Sequence, residues 1–171
     1  VVAGWAAQVP PSFRFTLKAN RRITHDRRLK DVGDSVDFFV ATARELGPQL
    51  AAVLFQTPPN LKCNLEVFDA FLATVPAGLV AAFEFRHDSW LTPELEPSLR
   101  EHRIGYCAVD EPPLPGLIPP VTMVTTEDAY VRFHGRNTAT WWGRGGPGGR
   151  EGGDRYDYDY REDELKEWVK K

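Results

Sequence analysis

Cysteine is nearly absent from this chain. Cys63 and Cys107 are the only two among 171 residues, with no CxxC pair or Cys/His cluster around either. A disulfide framework and a thiolate zinc site are therefore unsupported, and a reducing cytoplasm is the setting that fits. No apolar run approaches the roughly 20 residues that span a bilayer. The opening "VVAGWAAQVPP" also lacks a basic segment ahead of a long apolar one, so nothing directs the chain to a membrane. Positive charge is not in excess: 21 Lys and Arg against 24 Asp and Glu leave a net charge of −3, which argues against non-specific coating of nucleic acid as the main activity. Three catalytic or nucleotide motifs are missing as well. There is no GxxxxGK[ST] phosphate loop, "GRGGPGG" neither follows a strand nor opens a helix, and no serine sits in a GxSxG elbow. Cys107 falls within an apolar strand, where a thiol is inert, so nucleophilic catalysis is set aside.

What is present is an ordinary globular composition, 42% hydrophobic and 26% charged, enough to bury one core, and residues 1–171 read as a single domain. Short apolar strands alternate with helical patterns, as in parallel βα units. The strands are expected at 13–19, 51–59, 78–87, 104–110 and 129–136. A helix over 34–46, capped by Asp34 or Ser35, carries the stripe Val36, Phe39, Val40, Ala43 and Leu46. A second over 65–75 is capped by Asn64, and a third starts at Thr92-Pro93, with Pro97 shortening or kinking it before Arg103. The proline-rich "EPPLPGLIPP" cannot be helical, so one crossover helix is vestigial. Gly-rich 143–153 reads as a flexible loop, "YDYDY" is ambiguous, and "REDELKEWVKK" reads as an amphipathic helix with Leu165 and Trp168 inward. The chain begins at Val1 with what read as the last turns of a helix, so a fragment is expected.

Such a pattern suits an open doubly wound sheet or part of a (β/α)8 barrel, and both bind ligands at the C-terminal ends of their strands. The polar residues there are Lys18, Gln56, Glu84, Arg86, His87, Asp110, Arg132 and His134. Charges within a buried strand need partners. A structural network such as Lys18–Glu84–Arg132 would satisfy them, but polar residues at the same end of five strands favour a binding or catalytic rim. Lys18, Arg86 and Arg132 suit the grip of an anion. Glu84 and Asp110 suit general acid–base work, since burial and neighbouring cations push two carboxyls apart. His25, His87 and His134 with Glu84 and Asp110 could ligate a divalent metal, but their spacing carries no signature, so the cofactor stays open. The segment "KANRRITHDRRLK" is dense in Arg and Lys and suits phosphate or carboxylate recognition, or a solvated loop. Trp90, Trp141, Trp142, Tyr156, Tyr158 and Tyr160 could stack on a base or sugar, or cover core edges.

The stretches "PPSFRFTLKANRRITHDRRL", "LGPQLAAVLFQTPPN", "AAFEFRHDSW", "YCAVDEPPLP", "AYVRFHGRN" and "YDYDYREDELKEW", in this order, resemble the YecE-like proteins, domain-of-unknown-function family 72. The resemblance covers nearly the whole chain. It implies a cytoplasmic α/β protein with a TIM-like (β/α)8 barrel, here an incomplete barrel of about five to six parallel strands, and it names no reaction. It implies that a Gly-Trp-bearing strand and its helix, and a further Asn-rich strand, are missing at the two ends. It also marks Lys18, His25, Gln56, Glu84, Arg86, His87, Trp90, Asp110, Arg132, His134, Gly135 and Asn137 as site or site-shaping positions. The Gly-rich insertion departs from the family pattern and leaves the placement of Tyr156 and Tyr158 open.

Three functions remain in play. The first is a barrel protein that binds a small anionic or phosphorylated substrate, with hydrolase or isomerase chemistry if it is an enzyme. The second is a nucleic-acid-binding module using the basic 18–30 loop. The third is a non-catalytic scaffold barrel.

Overall fold

The computed structural model describes residues 2–142 and 156–171; the stretch 143–153, expected as a flexible loop, lies outside the described residues. A short helix, α1 (Val2–Ala6), precedes β1 (Phe15–Lys18). Then follow α2 (Gly33–Arg44), β2 (Leu50–Gln56), α3 (Leu65–Leu72), β3 (Ala81–Glu84), α4 (Leu95–Glu101), β4 (Gly105–Asp110), β5 (Tyr130–Phe133) and α5 (Glu162–Val169). The strands pair in parallel in the order β1-β2-β3-β4-β5. Parallel neighbours need a crossover, which α2, α3 and α4 supply in turn, whereas the prolines between β4 and β5 leave that crossing without a helix. The result is a curled half-barrel with flanking helices, the incomplete barrel that the family resemblance implies and not the open doubly wound sheet that the strand pattern alone also allowed.

Local chemistry sets the helix ends, with some departures from expectation. Asn64 caps α3, its side chain accepting the Val67 N–H at 3.0 Å. Asp34 is not a cap: α2 begins one residue earlier, so Asp34 sits in the first turn, where its charge complements the helix dipole. Thr92 is not a cap either. The helix starts at Leu95, which puts Pro97 third, a position whose N–H has no intrahelical partner to lose. In α5, Trp168 is partly buried, but Leu165 is 41% exposed and Glu164 only 4%. Trp168 meets Phe133, but the surface facing Glu164 is polar, and Glu164 accepts from Tyr158 and Arg136 there.

Register decides which residues share a face. Gln56 pairs with Glu84, Cys107 with Tyr130 and Val109 with Arg132. These point to the concave side, on which small Ala52, Ala82 and Gly105 lie nearer the strand starts. Phe55 and Phe83 point the other way, into a core with Phe68, Phe71, Phe85 and Trp90, all at most 1% exposed. Phe68 meets Phe83 edge-on at 5.0 Å and Phe55 meets Phe71 at 5.2 Å. Burying each ring contributes roughly 1.5–3 kcal/mol, and such edge contacts about 0.5–1.5 more. This packing holds the ends of β2 and β3 rigid, and with them Gln56 and Glu84.

Candidate functional site

Glu84 closes β3 with a fully buried side chain and is the hub of the concave rim. Gln56 Nε2 donates to its Oε1 at 2.7 Å and His134 Nε2 to the same oxygen at 2.9 Å, while Arg132 Nη1 donates to Oε2. Lys18 joins through Gln56, its Nζ donating to Oε1 of the amide. This answers how a buried strand can end in a charge: the carboxylate is surrounded by donors from β2, β5 and the turn after β5. Burial alone would raise the Glu84 carboxyl, but the hydrogen bond and charge of His134, the charge of Arg132 and the Gln56 bond outweigh it and hold the group down to about 2. Glu84 is therefore a fixed anion at neutral pH.

Around this hub the cations are only partly matched. Arg86 follows β3 on the same face, 6% exposed, with its Nη1 3.7 Å from Glu84 Oε1. Its backbone N–H donates to Thr57 Oγ1, and its guanidinium lies 5.6 Å from the Trp141 ring centroid. On its other side stands Glu111, whose Oε2 is 3.4 Å from Arg86 Nε. The two are within ion-pair range, yet neither atom forms an aligned hydrogen bond. Burial raises the Glu111 carboxyl to about 7, Arg86 opposing and Glu84 reinforcing the rise. Lys18 is lowered, first by burial, with Glu84 opposing and Arg132 and Arg86 adding to the fall. His25 is lowered by burial and then by Lys18 and Arg21; its Nδ1 is 2.8 Å from Thr24 Oγ1.

Not every candidate reaches this rim. Asp110, expected as the acid–base partner of Glu84, pairs in register with Phe133, not Arg132, and so lies on the opposite face of the sheet. There it accepts from Arg136 Nε and Nη2 at 2.8 and 2.6 Å, Tyr160 at 2.8 Å and Trp168 Nε1 at 2.6 Å. Burial would raise its carboxyl, but the Arg136, Trp168 and Tyr160 bonds bring it below its ordinary value. His87 Nδ1 accepts from the Ser89 N–H and caps the turn Asp88–Trp90. Trp90 is inside the core with its Nε1 donating to Leu61 O at 2.7 Å, so its face is not free to stack on a ligand. Asn137 donates to Asp157 O, and Gly135, at φ +86°, makes the left-handed turn after β5 and donates to Tyr160. Among the described residues no three His, Cys, Asp or Glu are grouped to hold a metal ion, so the five metal candidates are not gathered.

Glu111, Thr57 and Arg136 went unread in the sequence. Once the pairing of Cys107 with Tyr130 fixes the register, extending Cys107 and Val109 one step past β4 places Glu111 on the concave face. The other end of the sheet offers a cavity of about 250 Å³ lined by Ala52, Ala82, Gly105 and Tyr130 among others. It gathers no comparable network, so the C-terminal rim remains the candidate. No helix among the described residues is long and apolar enough to cross a membrane.

Comparison with known proteins matches this arrangement to a family. The model of "Protein of unknown function DUF72" matches residues 1–171. The chain is 34% identical to UPF0759 protein YunF of Bacillus subtilis (strain 168), over 97% of this chain and 64% of YunF. It superposes on the crystal structure of a DUF72 family protein from Thermotoga maritima with a TM-score of 0.84 and 36% identity, covering 96% of this chain and 62% of that one. A DUF72 family protein from Enterococcus faecalis shares the fold at a TM-score of 0.77 and 24% identity, over 99% of this chain and 68% of that one. The chain thus spans about two thirds of the length of these proteins, and with a family match from its first residue to its last, it belongs to the DUF72 family.

Proposed function

We propose that the concave rim binds a small anion, a phosphorylated or carboxylated molecule, gripped by Lys18, Arg86 and Arg132 and organised by Glu84. The observation that carries this reading is the charge left over. Three cations surround one carboxylate that stays ionised and a second, Glu111, that titrates near neutrality. Arg86 supports it further, as a buried guanidinium whose Nε has no hydrogen-bond partner. A buried donor left unmade costs about 1–3 kcal/mol, which a ligand oxygen would offset. Acid–base chemistry of the hydrolase or isomerase kind falls to His134, oriented by Glu84, because a carboxyl held near 2 is a poor proton carrier at neutral pH. The free thiols Cys63 and Cys107 fit a cytoplasmic setting.

The test is titration of the protein with sulfate or inorganic phosphate, followed by calorimetry and thermal unfolding. Arg86→Met should weaken binding by about 10- to 100-fold, the worth of a charged hydrogen bond. Circular dichroism checks that the variant is folded, and Arg132→Lys provides a second, milder reduction. Undiminished affinity in folded Arg86→Met would overturn the proposal. Binding of single-stranded nucleic acid that weakens steeply with salt but ignores Arg86 would move the activity to the basic 18–30 loop.

A further inference from the structure

Two buried polar atoms of the rim lack a hydrogen bond and face one another: Arg86 Nε and Glu111 Oε2, 3.4 Å apart. Both side chains are well buried, Arg86 at 7% exposure and Glu111 at 0%. They are also fixed in place. The Arg86 backbone is tied to Thr57, and the other Glu111 oxygen accepts the Ile118 N–H at 3.2 Å. A donor and an acceptor positioned in this way, each without a hydrogen bond, keep bonding capacity that one further oxygen can take up.

The chemistry of that oxygen is constrained. To accept from Arg86 Nε it must belong to an anion or strong acceptor, and it then lies beside Glu111 Oε2. Two negatively charged oxygens cannot share a buried contact, so one must carry a proton. We propose that Glu111 is the proton-accepting group of the anion site: a small oxyanion binds Arg86 together with one proton, held between Glu111 Oε2 and the ligand oxygen. The step balances simply, since a carboxylate, an oxyanion and a solvent proton become one hydrogen-bonded acid–anion pair, with no bond broken in the ligand. This rests on the reading of the rim as an anion site and specifies how that site takes its ligand.

The charges acting on Glu111 come from both neighbouring elements. Arg86, beyond β3, favours the carboxylate; Glu84 of β3 and Asp110 of β4 oppose it; Tyr106 of β4 is a further titratable group coupled to it. Burial and the two acids prevail over Arg86 and leave the group titrating near 7. An incoming anion adds another negative charge and pushes it higher.

Sulfate is the probe, because its own charge is constant across the neutral range. Calorimetry in two buffers of different protonation enthalpy should find about one proton taken up per sulfate bound near pH 8, falling towards none near pH 5.5, with affinity declining up to about tenfold per pH unit above 7. Glu111→Gln should bind sulfate with no uptake and nearly constant affinity. Sulfate binding by the wild-type protein without proton uptake at the higher pH overturns this inference and leaves the anion site standing. Absence of sulfate binding overturns both. Uptake that persists in Glu111→Gln assigns the proton to another group, His134 first, and also overturns it. The wild-type measurement decides the matter even if the variant does not fold.

Discussion

Glu84 and Asp110 end adjacent strands, both buried and both ringed by donors, yet they lie on opposite faces of the sheet and in opposite electrostatic settings. On the outer face, Arg136 is shared by Asp110, Glu164 and Glu167, while Tyr160, Trp168 and Tyr158 complete the bonds to Asp110 and Glu164. Among the described residues acids outnumber cations there, and Arg136 Nε, Nη1 and Nη2, Tyr160 and Trp168 Nε1 all donate to them, so the cluster fastens the C-terminal helix and leaves no surplus charge for an anion. On the concave face the balance reverses, with Lys18, Arg86 and Arg132 around one fixed carboxylate and with a donor and an acceptor unmatched. The number of hydrogen bonds to a buried carboxylate thus does not separate structure from function. What separates them is the charge and bonding capacity that remain once the partners are counted.

The sharpest way to break the comparison is to remove the two carboxylates in turn. Glu84→Ala leaves Arg132 and His134 without their acceptor and should cost about 3–5 kcal/mol in denaturant unfolding. Added sulfate should restore part of that loss, since it supplies the missing negative charge among cations already in place. Asp110→Asn should cost roughly 2 kcal/mol, because the amide keeps the shape but weakens charge-assisted bonds to Arg136, and sulfate should help it no more than it helps the wild type. Equal rescue of the two variants would erase the distinction between the faces.

Acidity probes the same contrast within the concave cluster. Glu84, held down to about 2 from an ordinary 4.5, contributes stability that is complete above 4.5 and lost as pH falls towards 2. Glu111 runs the other way. With its carboxyl raised to about 7, its contribution is complete below 4.5 and lost as pH rises through 7. At about 1.4 kcal/mol per unit, each group is worth about 3 kcal/mol over its window. The unfolding free energy should therefore peak near about pH 5, and Glu111→Gln should flatten the decline on the alkaline side. A wild-type profile without that decline would show that Glu111 ionises at no cost in the folded protein.

The rim was legible in the sequence where strands alternate or end at a punctuating turn. Lys18 is the last residue of an alternating strand, Gln56 precedes Thr-Pro-Pro, and Arg132 and His134 straddle Phe133 before Gly135, so period-two spacing and turn chemistry were enough to place them. β4 is different. Every residue from Gly105 to Asp110 is buried, so local alternation says nothing about which face each one takes, and only the pairing register of Cys107 with Tyr130 settles it. One step of parity exchanged Asp110 for Glu111. Trp90 was ambiguous for a related reason, because an aromatic beside a strand end can serve ligand or core, and its choice is made by Phe68 and Phe85 from elsewhere in the chain. Leu165 misled because an amphipathic pattern assumes an apolar partner surface, whereas α5 docks on Arg136 and Tyr158.

The smallest expected effect tests whether the outer cluster acts through bonds or through packing. Trp168 does both: its Nε1 donates to Asp110 Oδ2 at 2.6 Å, and its ring meets Phe133 edge-on at 5.4 Å. Trp168→Phe keeps an aromatic ring there and deletes the donor, leaving Asp110 with Arg136 and Tyr160, so unfolding should fall by about 1 kcal/mol and sulfate affinity should not change. Combined with Asp110→Asn, it should add little beyond the single Asp110 change, because the bond it removes is already weakened. Full additivity would mean that the indole holds α5 chiefly by its contact with Phe133, and the outer face would then be an apolar seam with a polar rim, not a closed hydrogen-bond clamp.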